Sequence, residues 1–140
     1  MPLALRDDTR IEYSSGNRNA PGDPFGEVIL SLSADGRARI DNRIATLHRV
    51  WEGRVAQATL QRALVLLDRA GFPRVAAHPI PAGSSLRVVR ITSGGEETRN
   101  LPIAWHATSS MPEYREAFQL LDSIVVELSQ KTLGEDPKLT

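Results

Sequence analysis

The side chains best equipped for acid–base or metal chemistry in this chain are His48, His78 and His106, and they lie far apart in sequence. None has the i, i+4 spacing that turns two imidazoles toward one metal on a helix, as in H-E-x-x-H. The chain has no cysteine, which removes thiolate ligands, thiol nucleophiles and disulfides together. Serines are plentiful, at Ser14, Ser15, Ser84, Ser85, Ser109 and Ser110, but they stand among turn and cap residues. A Ser–His–acid triad is defined by geometry rather than spacing, and nothing in the sequence assembles one. There is no G-x-S-x-G elbow, Walker loop or G-x-G-x-x-G fingerprint. Glu96 and Glu97 are placed at a hairpin tip, where solvated carboxylates do not push one another into acid–base roles. The expectation is a protein that is not an enzyme, with no catalytic residues, no cofactor and no metal.

Arginine is the polar residue distributed least evenly. Fifteen of the 17 basic residues are Arg. Residues 37–90 hold ten of them against Asp41, Glu52 and Asp68, a local charge of +7 in a chain whose net charge is zero. Residues 1–36 and 113–140 each carry −3. Such asymmetry marks a surface for an acidic partner, or else a solvated face laced with Arg–carboxylate pairs. Nucleic acid is a weaker candidate, because only seven aromatic residues are present and most occupy core-like positions, leaving few stacking platforms.

The elements that position these residues follow from periodicity. Residues 9–15 alternate, with Ile11 and Tyr13 on one face, and predict a strand. Residues 14–26 are rich in turn formers and predict a long loop. Val28, Leu30 and Leu32 predict a strand with one buried face. A three-residue loop, Ala34-Asp35-Gly36, would pair Leu32 with Ala38 and Leu30 with Ile40, with Gly36 in the left-handed conformation such loops need. That register turns Arg37, Arg39, Asp41 and Arg43 outward together. Ile44 to Trp51 predicts another strand, with Leu47 and Val50 inward and Gly53 as the break before a helix.

That helix, over about 54–70, has Leu60, Ala63, Leu64 and Leu67 at helical spacing, widened by Val65 and Leu66, and ends at Gly71 and Pro73. A second hairpin turns at Gly94-Gly95 and is expected to pair Val88 with Leu101 and Leu86 with Ile103. Val89 and Ile91 then fall on a face at most half buried. Pro102 cannot donate a ladder hydrogen bond, which places its strand at a sheet edge open to a further strand. Ser110 and Glu113 form a capping box with Pro112 in the first turn. Tyr114, Ala117, Phe118, Leu121, Val125 and Leu128, with Ile124 beside them, make the apolar face of the second helix. Trp51 and Trp105 each lie at a strand end, Trp105 beside His106.

The expected fold is α+β, a two-layer sandwich of a mainly antiparallel sheet with two helices on one face, in the order ββ(β)-α-ββ-α. Residues 1–132 form one domain and 133–140 a flexible tail. With 41% apolar and 24% charged residues the composition is that of a soluble globular protein. The N-terminus is too acidic and too short in apolar residues for a signal peptide, and no apolar run reaches the roughly 20 residues of a membrane helix. A cytoplasmic location is the expectation.

The segment Trp51-Glu52-Gly53-Arg54-Val55, followed by Leu60, Leu64, Leu67 and Ala70-Gly71-Phe72-Pro73, resembles a pattern in small bacterial α+β proteins. A strand leads through Gly into a helix that ends in an aromatic-Pro turn. A Gly-tipped hairpin and a C-terminal helix follow, here at 86–128. The emfourin-like inhibitors of thermolysin-type metalloproteases are similar in this order of elements, over about residues 27–128. The resemblance implies a compact, cofactor-free protein that docks onto another protein, and no inhibitory residue carries over from it. The combined reading is a non-enzymatic protein-binding module, an inhibitor or immunity-type neutraliser. Its partner has an acidic surface, met by Arg37, Arg39 and Arg43, the 14–26 loop, and the edge at Trp105 and His106. The alternatives are a small-ligand protein or enzyme with a pocket between the layers, nucleic-acid binding through residues 37–90, and a homodimer formed through the Pro102 edge.

Overall fold

The computed structural model describes residues 5–16, 27–44, 47–80, 85–131 and 138–139. Its strands are β1 (Arg10–Gly16), β2 (Glu27–Ser33), β3 (Arg37–Ile44), β4 (Leu47–Arg54), β5 (Leu86–Ser93), β6 (Glu96–Arg99), β7 (Ile103–Ala104) and β8 (Lys138–Leu139). Helix α1 (Gln57–Arg69) lies between β4 and β5, and α2 (Pro112–Lys131) follows a 3₁₀ turn at Trp105–Ser110. Every pairing is antiparallel, in the order β6-β5-β1-β2-β3-β4-β8, with β7 beside β6 along the same margin of β5. The fold is therefore an α+β sandwich built on an open antiparallel sheet. The crossover through α1 carries the chain from β4, past β3, β2 and β1, to β5.

The first hairpin has the expected register, with Leu30 opposite Ile40, Leu32 opposite Ala38, and Gly36 at a φ of 92°. The inner sheet face is made by Ile11, Tyr13, Leu30, Leu32, Ala38, Ile40, Val89 and Ile91, all buried under the two helices. From α1 the buried residues are Leu60, Ala63, Leu64, Leu66 and Leu67, while Val65 is exposed. From α2 they are Tyr114, Ala117, Phe118, Leu121, Ile124 and Leu128; Ile124 rather than Val125 completes the stripe. Removing these side chains from water is the main force holding the helices to the sheet.

Four local expectations are corrected. Gly53 does not break β4 before the helix; the strand runs through it to Arg54. A Cβ there would lie 2.6 Å from Leu128 Cδ2, so the glycine is where α2 rests on the strand. The second hairpin turns at Gly94-Gly95 and pairs Ser93 with Glu96 and Arg90 with Arg99 as expected, but then slips by one residue. Arg87 faces Ile103 and Leu86 faces Ala104, so Leu101 does not meet Val88 and is 68% exposed.

The cause of the slip is Asn100, which is buried. Its Oδ1 accepts from the Val89 N–H at 2.6 Å, and its own N–H donates to the Val89 carbonyl at 3.3 Å. A bulge results, which brings Ile103 to the inner face opposite Arg87. Third, Val89 and Ile91 face the core rather than a half-buried side, because β5 sets them opposite Tyr13 and Ile11 of β1. Fourth, Ser110 does not cap α2. Its hydroxyl donates to the Ala107 carbonyl at 2.8 Å inside the 3₁₀ turn, and Met111 accepts the first helical bond, from Arg115 N. Pro112 does open the helix. At the end of α1, Gly71 takes a φ of 87°, with Phe72 N bonded to the Leu67 carbonyl and Gly71 N to that of Asp68, the Schellman arrangement.

Candidate protein-binding face

Opposite residues in an antiparallel sheet share a face, so the registers lay out the side away from the helices. Across it runs a row of Arg99, Arg90, Glu12, Ser31, Arg39 and Glu52, one from each of six neighbouring strands. Arg90 is ion-paired with Glu12, and its Nε lies 3.3 Å from Glu97. Arg39 is bonded in a fork to Asp41 on its own strand, Nε to Oδ2 at 2.9 Å and Nη2 to Oδ1 at 3.1 Å. His48 Nε2 meets the same carboxylate at 2.7 Å. These hydrogen bonds, from Arg39 foremost and then from His48, hold the Asp41 carboxyl below the usual carboxylate range against the opposing effect of its partial burial. Arg39 and Arg90 are therefore matched internally.

Arg37 differs. It stands directly opposite Arg54, a like-charge cross-strand pair. The two cations share one residue at the hairpin turn: Arg37 Nε lies 3.3 Å from Asp35 Oδ2, and Arg54 Nη2 donates to the Asp35 carbonyl at 3.0 Å. The Arg37 side chain is 76% exposed. Arg43, opposite Glu27 and His48, is half-buried, and its Nε has no hydrogen-bond partner among the described residues. Of the expected site residues, Arg37, Arg39 and Arg43 thus share one strand face. Sequence reasoning missed Arg54, whose place opposite Arg37 follows once β4 is known to continue through Gly53.

The other expected surfaces lie elsewhere. Trp105 and His106 open the 3₁₀ turn after β7, at the far margin of the sheet from Arg37, and their side chains lie outside the described residues. So do residues 17–26 of the expected loop, while Ser14, Ser15 and Gly16 belong to β1. At the Pro102 margin, the Ala104 N–H donates to His78 Nε2 at 3.1 Å, and His78 Nδ1 faces the Ala76 carbonyl at 2.9 Å. Those contacts set the tautomer, with the proton on Nδ1. That stretch of edge is already occupied. Trp51, on the inner face opposite Ile40, packs against the core.

One polar cluster is interior. Arg87 Nη1 donates to the Tyr13 hydroxyl at 2.7 Å and to Asp122 Oδ2 at 2.8 Å, and the Tyr13 hydroxyl donates to Asp122 Oδ1 at 2.8 Å. The Arg87 guanidinium also lies 5.2 Å from the centre of the Phe118 ring, within cation–π range. Burial first, and then the nearby Asp122 charge, push the Tyr13 hydroxyl far above its ordinary value. The cluster pins α2 to β1 and β5, a structural task. The signal for it was the position of Arg87 two residues before Val89 in an inward alternation. Among the described residues no three His, Asp or Glu side chains gather as metal ligands, and no helix is long and apolar enough to cross a membrane. No protein-family model matches the chain, and no curated protein matches it.

Proposed function

We propose that the protein is a non-enzymatic protein-binding module that docks through the face of its sheet away from the helices, with the Arg37–Arg54 corner as the point of contact. The observation that carries this reading is two opposed guanidinium groups at an exposed turn, Arg37 beside the Asp35 carboxylate and Arg54 bonded to the Asp35 backbone carbonyl. Like charges directly opposite each other are unfavourable, and a carboxylate from a partner relieves them through charge-assisted, bidentate hydrogen bonds. The partner is a protein with an acidic surface, met in the cytoplasm. In the finer form of the proposal the module is an inhibitor or immunity-type neutraliser that occludes its target. The similarity in element order to emfourin-like inhibitors points the same way.

The test is affinity capture from nuclease-treated lysate of the source organism, with the wild type and with the Arg37→Glu/Arg54→Glu variant side by side. A stoichiometric protein held by the wild type and lost by the variant is the expected result. Capture unchanged in that variant and in Arg39→Glu would overturn the proposal, and material lost on nuclease digestion would move it to nucleic acid.

A further inference from the structure

The margin of the sheet at β6 carries a second unfinished charge pattern. Arg99 lies directly opposite Arg90, whose guanidinium is already engaged by Glu12 and Glu97. Among the described residues Arg99 makes no salt bridge and is exposed. β6 ends the strand order on that side, and Glu96, Glu97 and Arg99 are all exposed.

The hairpin geometry says which backbone groups are open. With Gly94-Gly95 as a two-residue turn, the pairs Ser93–Glu96 and Ile91–Thr98 exchange hydrogen bonds, so the N–H and C=O groups of Glu97 and Arg99 point away from β5. Farther along the margin, Asn100 turns its N–H inward to Val89, Pro102 has none, and the Ala104 N–H is held by His78. The open part of this edge is the four-residue strand Glu96–Arg99.

We propose that two copies of the chain pair through β6, antiparallel about a two-fold axis normal to the sheet. Directly opposed residues must lie on the same face, and the outward groups belong to positions 97 and 99, which leaves three registers. One sets Glu97 against Glu97 and another sets Arg99 against Arg99, both like-charge contacts that are disfavoured. The third sets Glu97 of each copy against Arg99 of the other, with Thr98 against Thr98 at the axis. Only that register gives Arg99 a carboxylate. It extends the charge row from Glu12 through Arg90 and Glu97 into the second copy. It also lays Leu101, the most exposed large apolar residue among the described ones, beside the second copy's Gly95, which has no side chain to obstruct it. The interface is isologous, and its short length makes the association reversible and concentration-dependent.

Charge reversal tests the register, not the pairing alone. Sedimentation velocity over a concentration series should show wild-type dimers, and Arg99→Glu or Glu97→Arg alone should weaken them roughly tenfold or more. An equimolar mixture of the two variants should dimerise again, because every opposed pair is then complementary. Since the chain has no cysteine, Thr98→Cys supplies one reporter. In the proposed register its Cα would lie about 4.5 Å from its mate, as in a non-hydrogen-bonded pair, within disulfide reach. Mild oxidation should therefore cross-link Thr98→Cys and leave Glu97→Cys largely monomeric. Glu97 and Arg99 are exposed and Thr98 is half-buried, and circular dichroism confirms that each variant is folded. A wild type that stays monomeric to millimolar concentration would overturn the proposal. So would dimers indifferent to both reversals with no cross-link at position 98.

Discussion

At the scale of single residues, the buried cluster of Arg87, Tyr13 and Asp122 sets the largest stakes. A buried guanidinium is tolerated only while its charge and donors are met, and removing one partner costs more than the pair itself contributes. Asp122 is 38% exposed, so water takes over part of its role when it is truncated. Asp122→Ala is expected to lower unfolding free energy by about 2 kcal/mol, and Tyr13→Phe by about 1 kcal/mol. The apolar replacement Arg87→Met with Asp122→Leu should cost less than Asp122→Ala alone, because no charge is stranded. Urea denaturation of the four proteins gives the ordering, and a double variant worse than the single would contradict this account.

On the outer face Asp41 makes an acid-side prediction. Its folded pKa lies below the unfolded value because the folded state favours the charged form. It therefore binds its proton more readily when unfolded, and its contribution to stability is present above the ordinary carboxylate value near 4 and lost as pH falls through the lower folded one. Asp41→Asn should flatten the drop in urea midpoint between neutral pH and about pH 3. An unchanged slope would show that the Arg39 fork does not persist in solution.

At the scale of elements, the glycines separate two costs that the sequence alone merges. Gly36 and Gly71 both have positive φ, but a Cβ at Gly36 would meet the Val55 carbonyl oxygen at 2.7 Å, whereas one at Gly71 meets nothing within 4 Å. Gly71→Ala should cost about 1 kcal/mol, the left-handed penalty alone. Gly36→Ala should cost clearly more, since the carbonyl of Val55, a residue anchored beside Gly36 by its own N–H bond to the Gly36 carbonyl, must move. Equal losses in thermal unfolding would refute the distinction.

The first hairpin was legible because alternation and turn geometry agree there: only the three-residue loop keeps Leu30 and Leu32 opposite apolar partners. The second was legible only as far as Arg90 and Arg99. Past that point Asn100 substitutes a side-chain acceptor for a ladder bond, and an apolar count cannot register the exchange. The site was legible in part for a related reason. Periodicity gathers Arg37, Arg39 and Arg43 on one face, but which arginines are neutralised depends on pairings across strands, such as Arg54 with Arg37, that residue spacing does not reveal.

At the scale of the whole molecule, both tyrosines of the chain report on global unfolding. Tyr13 lies fully buried between β1's neighbours and α2, and Tyr114 donates its hydroxyl to the Arg74 carbonyl at 2.6 Å, tying α2 to the segment after α1. Burial pushes the Tyr114 hydroxyl up to about 12 and the Tyr13 hydroxyl higher still. A raised phenol pKa means that the folded state holds the proton more tightly than the unfolded one. The stability this supplies is complete below the free-tyrosine value near 10 and is lost as pH rises toward the folded values. Because the chain contains only these two tyrosines, absorbance at 295 nm counts their ionisation with no background from others. We expect almost no phenolate at pH 10, where a free tyrosine is half ionised. Both groups should then titrate together, over a span steeper than one proton, at the pH where far-ultraviolet circular dichroism is lost. A tyrosine that ionises near pH 10 while the helices persist would show that the layer joining α2 to the sheet opens locally. The sandwich would then have to be treated as two units rather than one cooperative core.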